Sequence, residues 1–204
     1  QGGDAPRFAA SLGGGSHGAF ESTLAHAGKV GGLRYALRAG WAGAEGVNAT
    51  ANRSSAQYND DKDGYRNRNV SGQISYRFDD GSEVGASYLE SSKHFRYDSS
   101  WPTATANWRG ELRVSNAAVY GSWRILPVWQ STLRLGQSHD RSVTNPSATA
   151  GKDKDMYHTT QNQLTWQNDV TLPIGRAMAL VERLQQKIES TANFTTYDRT
   201  INSA

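Results

Sequence analysis

Long runs with an apolar residue at every second position, separated by polar loops, restrict this chain more than any other feature. The clearest is Leu33–Trp41, where Leu33, Tyr35, Leu37, Ala39 and Trp41 alternate with Arg34, Ala36, Arg38 and Gly40. A period of two belongs to a strand with two unlike faces. One face here is greasy and the other carries arginine, the pattern of a barrel wall with lipid outside and a polar lumen inside. The other runs phase in the same way. Val70, Gly72, Ile74, Tyr76 and Phe78 oppose Ser71, Gln73, Ser75 and Arg77, and Leu164, Trp166, Val170 and Leu172 oppose Gln163, Thr165, Gln167 and Thr171.

Turn signals recur every 46 to 51 residues, at Gly28–Gly32, Asp79–Ser82, Ile125–Val128 and Pro173–Arg176. Asp80-Gly81 is a strong hairpin signal. Between them lie long polar stretches at about 44–63, 91–110, 138–156 and 187–200. Short turns at one rim and long loops at the other describe an outer-membrane barrel. Tyr35, Tyr76, Phe78, Trp123 and Trp129 stand near the short turns, as an interfacial aromatic girdle would. A soluble β-sandwich is the competing reading. The runs span 9 to 14 residues, whereas soluble strands centre near ~5–6, which favours the barrel. A propeller would need four strands per repeat, and these runs leave room for two.

Composition agrees. A hydrophobic fraction of 36% and a mean hydropathy of −0.69 are thin for a soluble core of 204 residues, but suffice when one face of each strand is apolar. No apolar stretch approaches the ~20 residues of a membrane helix. Cysteine is absent, so there is no disulfide framework and no thiolate metal site. The net charge of +3 is dispersed, which argues against a nucleic-acid partner. Residues 177–188 are rich in helix formers. A strand is due after the fourth turn, so a strand is expected there, giving about nine in all. No secretory signal is seen near Gln1, and the chain reads as a single segment, 1–204, of a larger transmembrane β-barrel.

Gly14–Gly18 fits the G-x-S-x-G pattern, but that motif needs a helix after it, and Ala19–Ala27 reads as a strand; a tight turn is expected. His17, His26, His94, His139 and His158 have no ligand spacing. No catalytic constellation emerges, and the chain is read as not an enzyme. Asn59–Gly64 crowds Asp60, Asp61 and Asp63 into four positions. Carboxylates so placed offer hard oxygen ligands for calcium, although the ordinary reading of such a run is a solvated acidic loop.

The opening Phe8–Tyr35 region with Gly-Ser-His-Gly, the acidic Asp61–Tyr65 loop and Arg96–Ser100 resemble the TonB-dependent outer-membrane receptors, most closely their cobalamin-importing members. Order and spacing, rather than one motif, carry the likeness across essentially the whole chain. The resemblance implies a bacterial outer-membrane location and about nine strands, starting at Phe8, of a plugged wall of about 22. It implies calcium on Asp61, Asp63 and Asp98, with Asn48 and Asn107 where other ligands would stand and a correspondingly weaker site. It implies as partners the TonB complex acting through a plug, outer-membrane lipid, and a scarce chelate as substrate. Arg34, Arg38, Gln73, Arg134 and Gln163 would face the lumen. No stretch of this chain reads as plug or coupling segment, so it is not expected to transport alone. A ferric-siderophore receptor, a general porin or adhesin-type barrel, and a soluble carbohydrate-binding β domain are the alternatives.

Overall fold

Turn chemistry sets the frame. In the computed structural model, which describes residues 5–98, 108–145, 155–191 and 197–204, Gly31 and Gly81 take φ of 57° and 83°. Glycine alone enters that left-handed region without a Cβ penalty. Gly31 joins β2 (Phe20–Val30) to β3 (Leu33–Ala44), and Gly81 joins β4 (Tyr65–Arg77) to β5 (Glu83–Arg96). Residues 127–128 join β6 (Arg109–Leu126) to β7 (Trp129–Asn145), and residues 173–174 join β8 (Asp155–Leu172) to β9 (Gly175–Ser190). β1 (Arg7–Gly14) opens the series and β10 (Asp198–Ser203) closes it. All ten form one antiparallel sheet in chain order, and no helix occurs among the described residues. The expected turns hold, and the described residues form ten strands where about nine were expected.

Two expectations are refined. The stretch 177–188 is strand, held between β8 and β10. Ladder pairing on both sides overrides its helix propensity. Its side chains therefore alternate, with Ala177 and Val181 on one face and Leu184 and Ile188 on the other. Strand extends into the polar stretches at 91–110 and 138–156, where β5 runs to Arg96, β6 starts at Arg109, β7 runs to Asn145 and β8 starts at Asp155.

Register carries the two faces across the sheet without a change of phase. One ladder row runs Leu33, Tyr76, Val84, Gly121, Leu133, Trp166, Val181. Among the described residues no layer packs against the apolar face. Leu37 is 57% exposed, Ile74 50% and Val119 53%. Trp108, Ala118 and Val143 are the buried apolar side chains among the described residues, so no sandwiched core exists.

The apolar face has a sharp limit on its loop side. The apolar band ends at Trp41 on β3, Val70 on β4, Tyr88 on β5, Ala117 on β6, Leu135 on β7, Leu164 on β8 and Val181 on β9; farther along, Val143 and Met156 are the apolar residues that return to that face. Directly beyond the limit on the same face stand Arg68, Glu90, Ser115, Gln137, Asn162 and Arg183. Val181 shares a row with Leu33, eight residues below Trp41, so the limit drops eight residues over six strand steps. At ~3.3 Å per residue and ~4.8 Å per strand, it is inclined by about 40° to the ladder rows.

Candidate metal centre

The segment between β3 and β4 folds on itself through its backbone. The Asp63 amide donates to the Val47 carbonyl (3.0 Å) and the Asp61 amide to the Asn59 carbonyl (2.9 Å). Gly46 takes φ 79°, and a Cβ there would stand 2.4 Å from the Asp63 carbonyl oxygen, so only glycine permits this approach. The Arg96 amide donates to the Gly64 carbonyl (3.0 Å), which fastens the end of β5 to the same loop. Asp98, two residues on, is thereby delivered to Asp61 and Asp63.

One carboxylate oxygen from each of Asp61, Asp63 and Asp98 lies within 4.8 Å of the others. Asp61 Oδ1, Asp63 Oδ1 and Asp98 Oδ2 are buried and accept no hydrogen bond from the described residues. The other Asp63 oxygen accepts from the Ala49 amide at 2.8 Å. Burial, followed by the charges of Asp63 and Asp98, pushes the Asp61 carboxyl above the usual carboxylate range, against the opposing pull of Arg96. Lys62 does not neutralise the cluster, since its ammonium pairs with Glu45 at 2.7 Å and holds the Glu45 carboxyl below the ordinary range. Oxygens sharing one calcium at ~2.3–2.6 Å lie no more than about 5 Å apart, so this donor set fits a hard divalent cation. With no imidazole or thiolate, it does not favour a softer metal.

The sequence readings divide. Asp61, Asp63 and Asp98 come together. Asp60 turns away to accept from the Tyr58 hydroxyl at 3.0 Å. Asn48 braces the loop: its Nδ2 donates to the Asn59 carbonyl, and its Oδ1 accepts from the Thr50 amide at 2.9 Å. One Oδ1 lone pair remains for a cation. Asn107 lies outside the described residues. Arg34, Arg38, Gln73, Arg134 and Gln163 all occupy the face opposite the apolar one, where Gln163 Nε2 donates to Glu182 at 2.6 Å. Gly14–Gly18 forms a turn ahead of β2, with His17 at φ 58° and its carbonyl accepting from the Glu45 amide.

Two features escaped the sequence. His139 and His158, 19 positions apart, bring their rings to 5.5 Å across β7 and β8. Trp108 is 5% exposed, lies 5.7 Å from the Tyr97 ring and has an indole N–H without a partner among the described residues. Neither has a local signal, because register and loop closure create both contacts. Neither a protein-family model nor a curated protein matches this chain.

Proposed function

We propose that this sheet is part of the wall of a bacterial outer-membrane β-barrel, a TonB-dependent receptor that imports a scarce chelate such as cobalamin. The observation that carries the barrel reading is the inclined limit of the apolar face. Strands of such barrels tilt by ~35–45°, so a level bilayer edge must cut the ladder rows at that angle. The band from Leu33 to Trp41, taken normal to that limit, is about 20 Å high, against ~25 Å for known outer-membrane barrels. An exposed apolar face of this extent needs a partner, and lipid meets that need along its whole length. In hydrocarbon the free edges of β1 and β10 need strand partners, which the rest of a closed wall supplies. The receptor class and substrate rest on the resemblance of Phe8–Tyr35, Asp61–Tyr65 and Arg96–Ser100.

Calcium fits the loop site on the strength of its three orphaned oxygens. Asp61, Asp63 and Asp98 would hold it, and its charge would offset their mutual repulsion. These residues tie the β3–β4 loop to the end of β5, on the rim where a substrate arrives. Substrate then binds the loops, and TonB acts through the plug.

Single-tryptophan variants in bilayers of brominated lipid test the wall. Trp123 and Trp166, on the apolar face, should be quenched strongly and Trp108 weakly. Equal quenching of all three, or none, would overturn the reading.

A further inference from the structure

Charge on the apolar face is one-sided. Among the described residues, every arginine and lysine that the strands place on that face lies beyond its loop-side limit, from Arg68 on β4 to Lys187 on β9. Cations of the other face, by contrast, reach the short turns, as Arg34 and Arg77 do. Some of the outer cations are satisfied: Arg113 pairs with Glu90 at 2.9 Å and Arg141 with Glu111 at 3.1 Å. Arg66 and Arg68 are exposed and make no ion pair with the described residues.

The two arginines occupy consecutive outward positions of β4, about 6–7 Å apart. Arg68 stands directly across from Trp41, which is 42% exposed. Val70, the last apolar residue of the strand, lies next below, and Ile74 and Leu37 continue the greasy surface. On a strand inclined as these are, Arg68 lies roughly 5 Å and Arg66 roughly 10 Å beyond the apolar limit. The headgroup layer occupies about 5–8 Å on each side of the hydrocarbon, a depth at which the Arg68 backbone stands and which the long side chain of Arg66 can reach. Guanidinium groups bind phosphate oxygens in a two-pronged fashion, and tryptophan favours the same depth.

We propose that Arg66, Arg68 and Trp41 form a site for the phosphate of an anionic lipid headgroup in the loop-side leaflet, with acyl chains lying along Val70, Ile74 and Leu37. The inference rests on the membrane-wall reading. A lipid accounts for the alignment of the cations with the apolar limit; a soluble anion would gain nothing from the greasy surface directly below.

The test is native mass spectrometry of the full chain in detergent, offered equal phosphatidylglycerol and phosphatidylcholine. The wild type should retain phosphatidylglycerol preferentially. At ~1 kcal/mol per surface cation, Arg66→Gln with Arg68→Gln should lower that preference roughly 30-fold, and Arg68→Gln alone about fivefold. Arg124→Gln with Arg176→Gln, on the other face, should change it less than twofold. No preference in the wild type, an unchanged preference in the double variant, or an equal loss in the control would overturn the site. Strong quenching of Trp166 by brominated lipid alongside an unchanged double variant would remove the headgroup site and leave the membrane wall standing. Absence of that quenching would remove both.

Discussion

Replacing Asp98 by Asn should move the loop in opposite directions with and without calcium. Asp98 comes from the β5 side of the cluster, and its nearest oxygen lies within 4.8 Å of those of Asp61 and Asp63. These groups are half-buried, so a water-like dielectric gives a lower bound. Two unit repulsions at that distance then come to about 1.7 kcal/mol, which the cation-free variant no longer bears. A carboxylate oxygen at ~2.4 Å from a divalent ion gains about 3.5 kcal/mol in the same dielectric. The repulsion is borne with and without the ion and cancels from the binding free energy, so the lost attraction of about 3.5 kcal/mol predicts a rise in the calcium Kd of about 300-fold. Calorimetric titration reads the Kd, and hydrogen exchange over residues 46–64 reads the loop. In chelator the variant's amides should be better protected than the wild type's, and in excess calcium less protected. An unchanged Kd, or poorer protection in chelator, would refute the assignment of these oxygens to a cation.

Other consequences can be checked separately. The raised Asp61 carboxyl favours the protonated, cation-free loop below the ordinary carboxylate range, and that contribution is lost as pH rises through its folded pKa. Protons and calcium therefore compete, and calcium affinity should fall as pH drops through the same value; a flat titration between pH 7 and 4 would contradict this. Gly46→Ala forces a Cβ toward the Asp63 carbonyl at a left-handed φ, costing at least ~1–2 kcal/mol. It should abolish calcium binding while leaving the far-ultraviolet β signal unchanged. Leu37→Arg places a charge mid-band and should cost roughly 2–4 kcal/mol of insertion free energy, whereas Gln73→Arg on the opposite face should insert normally in the same vesicle assay.

How far the sequence could be read depended on which faces are unlike. Where one face is apolar and the other polar, as in β3 and β4, alternation revealed strand, phase and turn together. Beyond the apolar limit both faces are largely polar, so Ser138–Asn145 and Asp155–Met156 lose their period and pass for loop although the ladder continues through them. β9 is the converse case, since apolar residues on both faces erase the alternation and leave helix propensity as the loudest signal. At the candidate metal centre, Asp61 and Asp63 were visible as neighbours in sequence. Asp98 lies 35 positions from Asp63 and enters through the Arg96–Gly64 hydrogen bond, a tertiary event without local trace. Only the resemblance had pointed to it. Asp60 looked as suitable as its neighbours, and its turn toward Tyr58 could not be read from spacing.

The strictly sequential pairing of the ten strands has an evolutionary corollary. A hairpin made of two strands and a short turn contributes an even number of strands and returns the chain to the edge it left. Deleting or duplicating such a unit restores antiparallel neighbours and preserves which face each residue occupies. The circumference of a wall built this way can therefore change by gene duplication in steps of two strands, with neither greasy nor polar face inverted.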